Sequence, residues 1–599
     1  RALRHHLVMR PAIASLLLLS RVCHATLNVD TYDNCALHGA STATAVPSLD
    51  FTVAMGGSAE VTGLISFNEA GYYAFDCSFG GGQLVFVWVD DHLVCHTNPP
   101  FGNTPSSTDG SPQYPLHYGK GASVPIIVHI YAYAEEGPIT SAANANVTVQ
   151  WATLLEPMSA GAKPTFVPVP ASILSPATTP NEQRRRELQK GLASGWNLWT
   201  YNLLDVTKLP DSFALSLALC QLSTSACLRQ TKIEDTHASI RVGPFAADQS
   251  YWQLYVWFAG VNVSISVTGG ASALNVLVEP VNCSRPGGGV GLNCSDYALV
   301  VSPRFVWFRA GTRSVDAASG SISVKGAGFD ETTISPTAAP AAGLSLPDWA
   351  SAPHAVAFSL GAGAIGLSES AASLGTVTKT VAAARAAELA RYAKYGDLAE
   401  VKEGLQAATL WNYIYSPAEY GPFLPVSRSW NFVKQAVNND WAYVIFDWDN
   451  IFASYMTSLD AASKGIAYSN LIQVIRSRTS KGFVPNYSAG GSKSVDRTEP
   501  PIGAKVLLDI HTKYNDTWLV ELLYDDLKLW NDWFVGNRAF GPLGIISLGS
   551  DTIDGYQDYS AGEMQGARFE SGLDNSPMCA ALHPITLHIS TQFCCARPG

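Results

Sequence analysis

Charge is scarce in this chain: Asp, Glu, Lys and Arg make up 15% of 599 residues, and the balance is acidic, at a formal −11. With no basic stripe to neutralise phosphates, nucleic acid is excluded as a partner. Past the N-terminal segment there is no second hydrophobic run near the roughly 20 residues a bilayer span requires, so no transmembrane anchor is expected. No C-x-x-C pairs with another or with spaced histidines, which leaves no metal site and no cofactor to expect. Methionine is also sparse, and the first, Met9, comes after eight residues.

What is abundant is apolar and aromatic. Apolar residues reach 47%, with 15 Trp and 24 Tyr. Such a chain packs well, its length calls for two to four domains, and stacked aromatics commonly floor a sugar site. Met9-Arg10, an apolar run from Ile13 to Leu19 and the small Ala25 after Cys23-His24 read as a leader and signal peptide over residues 1–25. That places the protein in the secretory pathway, in the endoplasmic reticulum lumen or outside the cell. Cysteines in close pairs, Cys77 with Cys95, Cys220 with Cys227 and Cys283 with Cys294, suit local disulfides there. Glycosylation sequons begin at Asn146, Asn262, Asn282, Asn293, Asn486 and Asn515.

Periodicity divides the chain. Residues 45–155 carry short β-branched and aromatic runs such as Gln83 to Asp90, bounded by glycines, and read as a β-sandwich with a possible carbohydrate-binding role. Residues 156–190 are rich in Pro, Ala and Ser and read as a linker. Strand-like runs return over 191–330 as a second sandwich, and an Ala/Gly/Ser-rich stretch over 331–375 reads as a low-complexity linker. From 376 to 578 the period is helical. In the helix over Trp518 to Trp533 the spacing puts Trp518, Leu522, Leu529 and Trp533 on the buried stripe and Asp525, Asp526 and Lys528 outside.

Chemistry concentrates near the end. In Arg568-Phe569-Glu570-Ser571-Gly572-Leu573-Asp574-Asn575-Ser576-Pro577, a helical turn opening at Glu570 would set both carboxylates on one face. Acids crowded by apolar residues are what glycoside hydrolysis requires, one of them held protonated. Upstream lie Pro425-Val426-Ser427-Arg428-Ser429-Trp430, whose arginine offers a planar donor fork, and Phe446-Asp447-Trp448-Asp449-Asn450, a ring beside an acceptor for adjacent hydroxyls. Between them and the end come Gly482-Phe483-Val484-Pro485-Asn486 and Asp496-Arg497-Thr498-Glu499-Pro500-Pro501.

Taken in order, these segments resemble glycoside hydrolase family 63, which includes processing α-glucosidase I, with similar elements in the related trehalases. Gly195-Trp196-Asn197 is similar to the start of the N-terminal β-domain in bacterial members, and Val89-Asp90-Asp91-His92-Leu93-Val94 resembles a strand end of the protective-antigen-type domain. The resemblance implies a multidomain chain with two N-terminal β-sandwich domains followed by a partial (α/α)6 toroid. It implies inverting hydrolysis of α-glucosidic linkages in an oligosaccharide or α-glucoside substrate. Asp574 aligns with the general acid, and Arg428, Trp448, Asp449, Asn486, Arg497 and Glu570 fall on substrate-binding positions. The relatives' general base lies downstream of this motif, and residues 579–599 lack helical period and carry a Cys-Cys pair, so a C-terminally truncated catalytic domain is expected. The competing reading is a secreted carbohydrate-binding or adhesion protein without catalysis.

Overall fold

Alternating apolar residues build the first half of the chain as layered antiparallel sheets. The computed structural model describes residues 26–34, 36–80, 84–97, 109–132, 144–159, 163–229, 240–283, 292–307, 309, 311–341, 355–419, 421–428, 443–489, 492–550 and 568–572. Residues 1–25 and 573–599, which hold the expected leader, Asp574 and the tail, lie outside them.

In the first β unit a seven-stranded sheet runs in the order Ser41–Val46, Leu27–Tyr32, Ser58–Ser66, Ser123–Tyr131, Leu84–Val89, His92–His96, with Leu174–Ser175 against Ser58–Ser66. A five-stranded sheet holds Val167–Pro168, Ala145–Leu154, Gly71–Gly80 and Leu116–Tyr118, with Asp50–Val53 beside Ala145–Leu154. Val61, Val85, Val87, Val128 and Ile130 of one sheet meet Phe51, Phe75, Val147 and Val149 of the other. Each such side chain contributes about 1.5–3 kcal/mol on burial. The Cys77–Cys95 disulfide ties the two sheets together.

The second β unit pairs a six-stranded sheet centred on Phe213–Gln221 and Tyr297–Phe305 with an eight-stranded sheet running from Ile240–Phe245 to Gly311–Val315. Cys220–Cys227 and Cys283–Cys294 are also disulfides. The stretch expected as a linker over 331–375 contributes strands Thr332–Pro336, Val356–Ser359 and Ile365–Ser368, because Ile334, Phe358, Ile365 and Leu367 alternate into the core. The linker expected over 156–190 likewise ends in helix α1, Pro180–Leu192, started by Pro at its first position and by the Thr179 hydroxyl accepting from the Glu182 amide. One core runs through both β units and into the helical region, joining Phe86 and Trp88, Trp199 and Phe213, and Trp411 and Tyr413.

Two sandwiches leading into a partial toroid is the wrong plan for this chain, which is mostly β. Seven α-helices occur among the described residues: α1, then α2 (Leu374–Ala393), α3 (Ala399–Thr409), α4 (Asp447–Ser458), α5 (Lys464–Arg476), α6 (Gly503–Tyr514) and α7 (Thr517–Asn537). Helix α2 is alanine-rich on its outer faces and lays Val377 and Val381 on Tyr251 and the strand residue Leu277. It serves the second β unit and does not join a helical ring. Among the described residues α4 to α7 form a layer around α5, which is buried from Ile466 to Ile475, with α1 packed against α5 and α7. Small antiparallel sheets interrupt even this region, pairing Ile414–Ser416 with Gly421–Phe423 and Ile445–Phe446 with Tyr487–Ala489.

The buried stripe of α7 is also rotated from expectation. Leu519, Leu522, Leu523, Asp526, Leu527, Trp530, Trp533 and Phe534 face in, while Leu529 is exposed. Burial of Asp526 is the cause, since its carboxylate accepts from Arg476 and Arg478.

Candidate functional site

The segments singled out in the sequence converge on a buried carboxylate cluster. Helix α4 opens at Asp447, where the Asn450 side chain accepts from the Phe446 amide at 3.1 Å. The Asp447 amide donates to the Asn486 carbonyl at 3.2 Å, and the Asn486 amide to the Arg497 carbonyl at 3.0 Å. Asp447 Oδ2 accepts from the Thr498 hydroxyl at 3.0 Å and the Glu499 amide at 2.8 Å. The Trp530 indole donates to Thr498 at 2.9 Å, which pins this loop to α7. Together these contacts hold 447–450, 486 and 496–499 as one rigid body.

Glu570 joins from the far end of the chain. Its carboxylate is fully buried and accepts from both sides of the Arg538 guanidinium at 2.8 and 2.9 Å, from the Thr498 amide at 3.2 Å and from the Gly549 amide. Burial pushes its pKa up, and the Arg538 fork opposes that rise. The helical turn expected to open at Glu570 instead closes there, and Gly572 takes φ +70°. A Cβ at Gly572 would sit 2.1 Å from the Trp448 ring, so the glycine lets the chain lie directly against that indole. The expected common face of Glu570 and Asp574 falls partly outside the described residues.

Two of the cluster's acids are held by arginines and two stand side by side. Asp496 is held by Arg497 at 2.7 and 2.8 Å, and Glu570 by Arg538. Asp447 and Glu499 are neighbouring acids, and Glu499 accepts from the Trp448 amide at 3.4 Å. Burial first, then the Glu499 charge, pushes the Asp447 carboxyl well above the usual range, and its Oδ1 is buried with no hydrogen-bond partner. The arrangement therefore favours the protonated form of a buried acid beside a half-buried indole.

The anticipated site residues, Asp574 apart, fall at defined places. Trp448, Asn486, Arg497 and Glu570 belong to the cluster; Arg497 also lies 5.3 Å from the Phe569 ring centroid. Asn486 is 4% exposed, so its sequon is buried. Asp449 points outward and is exposed, one residue from the buried Asp447. Arg428 is elsewhere. It is 1% exposed and donates to the carbonyls of Leu198, Thr200, Trp411 and Tyr413, clipping the second β unit to the helical region. Burial lowers its pKa to about 9. Asp574 lies outside the described residues.

The residues missed in the sequence were Asp447, Glu499 and Arg538. Adjacent acids in Asp447-Trp448-Asp449 were a usable signal, with only the inward member misjudged. Arg538, just past the end of α7, carried none.

No family model matches the chain, and no curated protein matches it. Solved structures are similar only distantly. An anti-sigma factor domain-containing protein from Clostridium clariflavum is 12% identical over 58% of this chain and 90% of its own, with a TM-score of 0.20. The transport component C2-II of the C2-toxin from Clostridium botulinum is 10% identical over 57% and 73%, at 0.18. The gh92 family glycosyl hydrolase ccman5 is 11% identical over 61% and 66%, at 0.21. Scores this low carry no argument about fold or activity.

Proposed function

We propose that this chain carries the acid and substrate-binding part of an inverting glycoside hydrolase for α-glucosidic linkages of oligosaccharides, in the manner of the family 63 enzymes its motifs resemble; none of its residues is assigned as the general base. The observation that supports the reading is the convergence of Asp447-Trp448, Asn486, Asp496 to Glu499 and Glu570 on one cluster, although they are spread over more than a hundred residues. A ring to stack on, a protonated carboxyl and arginines held by carboxylates are the groups that recognise a pyranose and protonate a leaving oxygen. In this reading Asp574 is the general acid and Trp448 the platform, and Glu570 with Arg538 fixes the loop from which Asp574 follows.

A second reading, a secreted carbohydrate-binding protein without catalysis, is favoured by a specific observation: Glu570 and Asp496 are fully engaged by arginines, which leaves them as braces. Turnover separates the two. In a version of the chain that also carries the expected downstream base, Asp574→Asn should lose most hydrolysis of a natural α-glucoside and keep sugar binding, with a smaller loss on a glucosyl fluoride, whose leaving group needs little protonation. Equal losses on both substrates would remove Asp574 from the acid role, and sugar binding without any turnover in the unsubstituted version that carries the base would establish the second reading.

A further inference from the structure

Away from the carboxylate cluster, a cleft opens where the first β unit, α1, the second β unit and the hairpin of Ile414–Ser416 and Gly421–Phe423 meet. His38, Tyr131, Arg186, Lys190, Arg309 and Tyr415 are among its walls, and it encloses about 710 Å³ including the open mouth. Arg309 is the unusual member. It is 2% exposed, and its guanidinium carbon stands 3.8 Å from the centroid of the Tyr131 ring. Its side chain makes one long hydrogen bond, 3.4 Å to the Trp307 carbonyl, and its buried Nε makes none. Among the described residues no carboxylate pairs with it.

The acids nearby are already committed. Glu60, fully buried, accepts from Lys190 at 2.5 Å, from Arg186 at 2.7 Å and contacts His129 at 3.3 Å. Asp211, beside the lining residues Pro210 and Ser212, stands 3.6 Å from Lys208. Burial raises the Asp211 carboxyl pKa, which weakens it as a counter-charge for the cleft. Glu60 is thus committed to Arg186 and Lys190, and among the described residues Arg309, the most buried of the three cations, has a ring face and a distant carbonyl. Leaving a guanidinium dry and unpaired is costly. An oxyanion entering the cleft would supply what Arg309 lacks, since the edge of a guanidinium matches two oxygens of a carboxylate or phosphate.

We propose that this cleft binds a small oxyanion, a carboxylate or a phosphate, gripped by Arg309 and met at the mouth by Lys190. Because its walls come from four parts of the chain, the bound anion clasps them together. The site is independent of the carbohydrate reading, and its test requires no turnover.

Thermal unfolding and calorimetric titration of the full chain should be run in sodium phosphate, sodium acetate and sodium chloride at equal ionic strength. Saturable binding and a rise in Tm are expected with phosphate or acetate over chloride, and whichever acts identifies the oxyanion. Arg309→Met should abolish the effect. Lys190→Gln, whose side chain is 42% exposed, leaves Glu60 its other partners and should weaken binding about tenfold, the loss of one charge-assisted contact. If Arg309→Met does not fold, Lys190→Gln decides. Indistinguishable behaviour in all three salts, or unchanged anion binding in Lys190→Gln, would overturn the proposal.

Discussion

Asp447 and Gly572 carry the sharpest expectations about single residues. The Asp447 carboxyl holds its proton above the range in which an unfolded aspartate loses it. A folded pKa raised in this way stabilises the native state at acid pH, and that contribution is lost as pH rises through the folded value, at about 1.4 kcal/mol for each pKa unit. Asp447→Asn cannot ionise, so it should gain on the unaltered chain between pH 4 and pH 8 in urea unfolding. A stability difference that stays constant over that interval would show that the carboxyl is not protonated in the fold. At Gly572, alanine brings both the left-handed backbone and a collision with the Trp448 ring, and a non-glycine residue there costs about 1–3 kcal/mol. Much of the penalty should vanish in the Trp448→Ala background, giving a coupling of about 1 kcal/mol or more in a double-mutant cycle. Simple additivity would separate the two segments.

At the scale of elements, the turn that closes Leu84–Val89 onto His92–His96 is the principal joint. Asp90 and Asp91 take positive φ there, at 52° and 63°. Asp91 accepts from Arg185 of α1 at 2.6 Å and from Arg476 of α5, and Asp90 accepts from Arg478 at 2.6 Å. His92 contacts Asp109 at 3.1 Å, and Lys493 reaches the same carboxylate at 2.7 Å. The two arginines beside Asp91 hold its carboxyl below the usual range against its burial. The Val-Asp-Asp-His segment, read from sequence as resembling a strand end of the protective-antigen-type domain, is the dock of the first β unit on the helical layer. Asp91→Asn leaves two buried arginines short of an anion, and a loss of about 3–5 kcal/mol is expected in denaturant unfolding. A loss under about 1 kcal/mol would mean the joint is solvated.

This joint also shows what the sequence could reveal. Strand runs such as Leu84–Val89 and the three close cysteine pairs were legible because burial and covalent reach are local properties. Asp526 read as a solvated charge, since the buried ion network it forms with Arg476 and Arg478 declares itself only when elements far apart in sequence meet. The 331–375 stretch read as linker because its Ala, Gly and Ser hide the few apolar residues that complete the second β unit. Helical period was real in α4 to α7, yet period says nothing about whether helices close a ring. The motif positions fared unevenly for the same reason: Trp448 and Arg497 fall in the cluster, while Arg428, equally plausible as text, became a clip for backbone carbonyls.

For the whole molecule, a core shared by both β units and the helical region fixes where the carboxylate cluster sits. The core also makes the chain a single folding body, so the site must be tested in the full protein. The central claim is that the Asp447, Trp448, Asn486, Arg497 and Glu570 segments form a sugar site. Calorimetric titration of the full chain with an iminosugar of glucose configuration, compared with Trp448→Ala, tests it most directly. The account predicts saturable one-site binding, weakened by about 1–3 kcal/mol when the indole is removed, the range of a stacking contact by alanine substitution. Equal affinity in the two proteins, or no binding by the unaltered chain, would contradict it.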